Sequence, residues 1–412
     1  MIRLDLRTLV INADTIQETH QRGENIWKKA ETEPNMVFMA PEQLISDGFN
    51  GLLKDDSAFL CRVCLLAVDE AHILNTWGAA FRKVYHQIGW IRARLHDVVF
   101  LALTATMRDG KPIENVCEFL GLHQGRFHLI RRSNARPEVQ ILFREMKSGF
   151  GGQTFPELDW ILQERCKTLI FCRTINLGFR VYTYLYYQSV DDSGIGNRIR
   201  LYNALNWPTY NEKTRELMDN DAVCQIVIGT DTLSVGVDIG SVQDVIVLDE
   251  PEDIDDLFQK FGRPGRDRNR VKDPWGILYT GQKTLEIAQK VVDAAGSQGS
   301  SKKVVLQKET HTMDLSMAHM HLASCKYGKQ NGQYGNMPNG ILCTDSCQSC
   351  QKDPPPSPVF PCYCSGCKPE DIFRADVPMG PTRTSSITLD IPKSRCLTKV
   401  MRAHGTKQLE KF

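Results

Sequence analysis

The chain has 412 residues, enough for two or three domains with cores of their own. Hydrophobic residues at 42% and charged residues at 24% are ordinary for a globular protein. The net charge of +1 argues neither for nor against nucleic acid, so any such surface must come from local placement of Arg and Lys. No apolar run approaches the ~20 residues of a membrane span, and the opening MIRLDLRTLVINAD lacks a signal-peptide core, so the chain is expected to be soluble and intracellular.

In chain order, short Val-, Ile- and Leu-rich runs alternate with helical stretches. They are LRTLVINAD, NMVFMAP, CRVCLLAVDEAH and DVVFLALTAT, then TLIFC, CQIVIGT, DVIVLDE and GILYT. Such runs predict parallel strands buried on both faces with crossover helices between them, an α/β fold. The Gly-rich SGFGGQTFP around residues 148–156 interrupts the order, so two lobes are expected, residues 1–143 and 147–295. After them GSQGSSKK reads as a linker, residues 310–368 as a polar Cys-rich module, and residues 369–412 as an irregular tail.

Thirteen of the fourteen cysteines fall into two kinds, and Cys396 stands alone in the tail. Cys61, Cys64, Cys117, Cys166, Cys172 and Cys224 are scattered through apolar segments, while seven crowd between Cys325 and Cys367, as metal ligands do in a reducing compartment. Cys61-x2-Cys64 has zinc spacing as well. It is read as lying in the strand before DEAH, where period two would point the pair to different faces, and is set aside.

Asp69-Glu70-Ala71-His72 follows an apolar strand, the end at which open α/β sheets bind ligands. Phosphoryl transfer from ATP needs a carboxylate on Mg²⁺ and a group orienting water, which Asp69 and Glu70 can supply. Helix N-capping is the plainer use of such acids. Thr104-Ala105-Thr106 ends the next strand. Farther on, VIGTDTLSVGVD carries Thr230, Gly236 and Asp238, and QKFGRPGRD carries Gln259, Gly262, Arg263, Gly265 and Arg266. A guanidinium beside a γ-phosphate stabilises transition-state charge.

In this order and spacing the set resembles helicase superfamily 2, and VDEAHILNTWGAAFRKVY resembles the RecQ-like DNA helicases. The resemblance runs from about Arg7 to Cys350. It implies two RecA-like parallel-sheet lobes, the first incomplete, with a zinc-binding module, and an ATP-dependent 3′–5′ DNA helicase acting in replication, recombination or repair in the nucleus. It implies Mg²⁺ on Asp69, water orientation by Glu70, coupling through His72, and γ-phosphate contacts from Arg263 and Arg266. Thr104, Thr106, Gly236, Asp238 and Gln259 would serve the nucleotide site. DNA would meet Pro41, Glu42, Arg173 and Thr230, and Trp77, Phe81 and Arg82 of the aromatic-rich loop, whose rings stack on bases at ~1–3 kcal/mol each. Packing of Trp77 and Phe81 in the core is the plainer reading of each ring alone.

The resemblance also implies Zn²⁺ on Cys325, Cys343, Cys347 and Cys350, whose spacing is C-x17-C-x3-C-x2-C. Cys362, Cys364 and Cys367 could replace a ligand, complete a second site, or be spare. His319 and His321 could compete as ligands but are read as surface or packing residues. Where the family commonly has Tyr-His-Ala, this chain has Tyr202-Asn203-Ala204, which places one contact in question. No G-x-x-x-x-G-K-[ST] occurs, so a truncated first lobe, weakened ATP binding and exposed apolar sheet surface are expected. A non-catalytic, zinc-stabilised DNA-binding remnant is therefore the alternative; an RNA helicase ranks last.

Overall fold

The computed structural model describes residues 6–54, 57–76, 88–95, 97–164, 166–189, 195–220, 223–233, 239–297, 313–336 and 362–368. Two compact units emerge, Met1–Arg136 with Gly328–Pro358, and Pro137–Tyr327 with Val359–Phe412. No described helix is long and apolar enough to cross a membrane.

In the first unit, β1 (Thr8–Ile11) pairs with β2 (Met36–Met39), and β3 (Leu65–Val68) with β4 (Val99–Ala102), both parallel. Helix α1 (Ala13–Gln21) starts at a reciprocal cap. Asn12 Oδ1 accepts from the Thr15 amide at 2.8 Å, and Thr15 Oγ1 accepts from the Asn12 amide at 3.0 Å. Ile11, Ile26, Ala30, Phe49, Leu52 and Leu53 form a core on one side of the first pair. The alternate residues face out, with Val10 47%, Phe38 53% and Val99 66% exposed. Burial on both faces is therefore not met here, because the described elements of this unit cover one face of each pair.

The second unit meets that expectation. It holds a six-stranded parallel sheet in the order β5-β10-β9-β6-β8-β7. These strands are β5 (Gln140–Glu145), β6 (Lys167–Cys172), β7 (Ile199–Tyr202), β8 (Ile226–Gly229), β9 (Val242–Leu248) and β10 (Trp275–Thr280). Every residue of β8 and β10 is buried. Helix α2 (Ile175–Gln188) begins at Thr174, whose Oγ1 accepts from the Leu177 amide, and packs Leu177, Val181, Tyr184 and Leu185 into the core. Helix α3 (Pro208–Asn220) follows β7. Helix α4 (Ile254–Phe261) is capped by Asp253, and its Phe261 ring sits over Gly276 so closely that a Cβ there would lie 2.8 Å from the ring.

Strands β5 and β7 were not among the expected runs. Because β5 pairs with β10 from Gln140↔Trp275 onward, the chain enters the second unit after Arg136, earlier than the expected break at 143. The Gly-rich stretch is instead a loop inside this unit, held by Ser148 donating to Glu157 at 2.7 Å. Of the segment 310–368, described over residues 313–336 and 362–368, the division places 313–327 and 362–368 in the second unit and 328–336 in the first. In the second unit, helix α5 (Thr284–Ser297) packs Ala288 and Val291 on Ala318 of helix α6 (Leu315–Leu322).

Candidate functional site

The DEAH segment turns off the end of β3 beside the end of β4. The Leu103 amide donates to Val68 O and the Ala71 amide to Leu103 O, each at 2.8 Å, so the two strand ends lock together. Asp69 is exposed and its Oδ1 accepts from the Glu70 amide at 2.8 Å. Glu70 has φ of 51°, a left-handed conformation that costs a non-glycine residue about 1–2 kcal/mol. Strain of this kind gathers at functional sites. His72 is buried, and its Nδ1 lies 2.9 Å from Thr104 Oγ1 and 3.3 Å from Glu70 Oε2. One imidazole nitrogen thus joins the acidic turn to the Thr104 turn. Thr104 Oγ1 also accepts from the Thr106 amide at 3.3 Å, and the buried Thr106 Oγ1 has no hydrogen-bond partner among the described residues. An exposed carboxylate at a strand's carboxyl end suits Mg²⁺, which takes one or two carboxylates and keeps water.

In the second unit the arginine turn leaves the C-terminus of α4. Gly262 ends the helix, with its amide donating to Phe258 O at 2.8 Å, and Gly265 (φ 64°) lets its amide reach Val242 O at 2.8 Å. Arg263 is buried; Arg266 is exposed and its Nε donates to Gly262 O at 3.3 Å. Gln259 is half-buried on α4. Beside it Lys260 is 5% exposed and bridges Asp231 and Asp256. Sequence reading passed over Lys260. A lysine just before Phe261 on a helix with Asp256 one turn earlier was the available signal.

Of the DNA-contact expectations, Pro41 and Glu42 lie in a single 3-10 turn, Pro41–Ile45, with Glu42 exposed. Arg173 is exposed just past β6, and Thr230 is half-buried just past β8. Trp77, Phe81, Arg82, Gly236 and Asp238 lie outside the described residues. Asn203 is buried and serves its own turn, Oδ1 accepting from the Leu205 amide at 2.9 Å.

Cys325 meets the three cysteines that sequence reading left unassigned. The sulfurs of Cys325, Cys362, Cys364 and Cys367 all lie within 4.8 Å of one another, and Cys325 and Cys362 are 3.9 Å apart. Tetrahedral Zn²⁺ with Zn–S bonds of ~2.3 Å sets its sulfurs about 3.8 Å apart, so the set fits. Cys343, Cys347 and Cys350 lie outside the described residues. Burial raises the Cys364 thiol, but hydrogen bonds from the Cys367 and Lys326 amides, the Cys362 thiol and the Gly366 amide outweigh it and bring it down to about 7. Between these cysteines, Ser365 donates its amide to Ile141 O at 3.0 Å, and its Oγ accepts from the Phe143 amide at 2.9 Å. The loop thereby covers the outer edge of β5. C-x-C-x2-C was the signal in the sequence for this group.

His321 is buried, with Nε2 2.9 Å from Glu250 Oε1 and its ring edge-on to Phe143 at 5.2 Å. Its packing role stands. Lys326 Nζ donates to Met320, His321 and Ala323 carbonyls at 3.0, 2.8 and 3.0 Å, closing the C-terminus of α6. Cys61 sits in the short helix Ala58–Arg62 and only Cys64 approaches β3, so the strand-face argument used to dismiss that pair does not apply. Both are exposed free thiols outside the cluster.

The profile of the helicase conserved C-terminal domain matches residues 154–268. The chain is 26% identical over 258 residues to the ATP-dependent DNA helicase RecQ of Haemophilus influenzae, covering 62% of this chain and 38% of that protein. It is 29% identical over 256 residues to the ATP-dependent helicase wrn-1 of Caenorhabditis elegans, covering 56% and 21%. It spans well under half the length of these relatives. Among solved structures, Mycobacterium smegmatis helicase Lhr bound to ssDNA and AMP-PNP superposes with a TM-score of 0.52 at 18% identity, covering 71% of this chain and 37% of that one. DUF1998 helicase MrfA bound to DNA and AMPPNP superposes at 0.54 and 18%, covering 71% and 40%. At such identity the likeness is one of fold.

Proposed function

We propose that this RecQ-like chain of the superfamily 2 type is motor-core sequence of an ATP-dependent 3′–5′ DNA helicase, working in replication, recombination or repair in the nucleus. The observation that carries this reading is the placement of His72 Nδ1 between Thr104, to which it is hydrogen-bonded, and the Glu70 carboxylate at neighbouring strand ends. A motor must tell its DNA-contacting segments what the nucleotide is doing, and a shared imidazole is a means of doing so. Asp69 would hold Mg²⁺, which screens phosphate charge. Glu70 orients water, Arg263 and Arg266 offer charge to the γ-phosphate, and Thr106, Gly236, Asp238 and Gln259 line the nucleotide site. Pro41, Glu42, Arg173 and Thr230, with Trp77, Phe81 and Arg82, contact DNA. Zn²⁺ would be held by Cys325 with Cys362, Cys364 and Cys367, clamping the loop on β5.

These 412 residues contain no G-x-x-x-x-G-K-[ST], which favours a second reading, a zinc-stabilised DNA-binding protein without catalysis. Titrating the chain with ATP and Mg²⁺, and measuring hydrolysis with single-stranded DNA or RNA, tests both. DNA-stimulated turnover supports the motor. DNA binding with no nucleotide binding supports the second reading. Stimulation by RNA alone overturns the assignment to DNA.

A further inference from the structure

Beyond the contacts already assigned, the turn after β7 presents two large apolar side chains to solvent. Leu205 is 71% exposed and Trp207 59%. Their exposure is not slackness of the chain, because three asparagines fasten the turn. Asn203 Oδ1 accepts from the Leu205 amide at 2.9 Å. Asn206 Nδ2 donates to Leu201 O at 2.6 Å and to Asn211 Oδ1 at 3.2 Å. Asn211 Nδ2 donates to Asn203 O at 2.9 Å. The Tyr210 and Asn211 amides then donate to Trp207 O at 3.0 and 3.1 Å as α3 begins. The indole is thus held out on a fixed stem.

The position of that stem suggests its use. Tyr202 of β7 and Phe171 of β6 both register against Gly229 of β8. Adjacent strands lie about 4.8 Å apart, so the three strand ends span roughly 10 Å. Arg173, Thr230 and the Asn203–Trp207 turn therefore leave the same edge of one sheet. The approach is tight, since a Cβ on Gly229 would lie 3.0 Å from Tyr202 O. A cation, a hydroxyl and an unstacked indole side by side suit a single nucleic-acid strand, whose phosphates take the polar groups and whose base takes the ring.

Resting on the DNA-binding reading above, we infer that Trp207, with Leu205 as a ledge, is a base-stacking platform for single-stranded DNA at the carboxyl edge of the second sheet. Every base has a π-face, so the contact is indifferent to sequence.

The test is fluorescence anisotropy of a fluorescein-labelled, mixed-sequence single-stranded oligodeoxynucleotide with the full chain. Trp207→Ala is expected to weaken binding roughly tenfold, within the range for one stacked base, and Trp207→Phe to restore most of it. Stacking touches no phosphate, so the slope of log affinity against log salt stays as in the wild type, whereas Arg173→Ala makes it shallower. On an oligonucleotide shortened to the site size, so that sliding cannot avoid the lesion, an abasic site at one position should weaken the wild type and leave Trp207→Ala indifferent there. Unchanged affinity for Trp207→Ala, beside a wild type that binds, overturns this inference alone. A wild type that binds no DNA overturns it together with the DNA-binding reading. Urea unfolding of both variants reports folding, and equal loss of affinity and stability in Trp207→Phe also overturns it.

Discussion

Lys260 Nζ lies 2.9 Å from Asp231 Oδ1 and 2.8 Å from Asp256 Oδ1, so one ammonium joins the turn bearing Thr230 to the helix that leads into Arg263 and Arg266. Burial alone would lower the Lys260 pKa; Asp256 and Asp231 outweigh it and hold the group above its ordinary value. The ammonium also sits 5.8 Å from the Phe171 ring, near the end of β6. Three strand-end segments of the second unit therefore share one buried charge.

Removing that charge should be costly. Breaking a buried pair from one side costs ~3–5 kcal/mol, and because Asp231 is exposed and rehydrates, Lys260→Met is expected to cost about 2–3. Asp231→Asn should stay within about 1 kcal/mol. Urea midpoints measure both, and a midpoint for Lys260→Met equal to the wild type would show that the bridge contributes nothing.

At Glu70 function and stability are expected to part. Glu70→Gln should abolish any DNA-stimulated hydrolysis while leaving DNA affinity unchanged. Glu70→Gly relieves the left-handed φ and should raise stability by about 1 kcal/mol over Glu70→Gln. Hydrolysis surviving in Glu70→Gln would remove Glu70 from its role.

Gly276 leaves room for the Phe261 ring just before the arginine turn. Gly276→Ala should cost about 1–3 kcal/mol by overpacking and loosen that turn. Thermal unfolding reports the first effect and hydrogen exchange at the Gly265 amide the second; wild-type behaviour in both would show that α4 shifts freely.

The cysteine cluster predicts one zinc per chain by elemental analysis. Chelation, or Cys364→Ser, should speed hydrogen exchange at the Ser365 and Phe143 amides, which pin the loop to β5. Zinc retained in full after Cys362, Cys364 and Cys367 are all replaced by Ser would assign the metal to other ligands.

How much was legible in the sequence follows from the range of each signal. The eight apolar runs all became strands, since burial in a parallel sheet writes itself as contiguous Val, Ile and Leu. β5 and β7 escaped notice because their apolar runs are short, three residues before Arg144-Glu145 in QILFRE and broken by Arg200 in IRLY. The resemblance offered Cys343, Cys347 and Cys350 as partners of Cys325, and these lie outside the described residues; among the described residues the fold brings Cys325 to Cys362, Cys364 and Cys367, a grouping that local spacing does not express.

By itself, the sequence determined the α/β class, the order of eight of the ten described strands and the acidic and arginine turns, because each depends on neighbours a few residues away. Only the tertiary structure decided that β5 belongs to the second sheet, that His72 reaches Thr104, that Lys260 bridges two acids and that Trp207 stands exposed. Those depend on which distant segments pack together, and packing is settled by the sum of many weak contacts, none of which is written in any single stretch of residues.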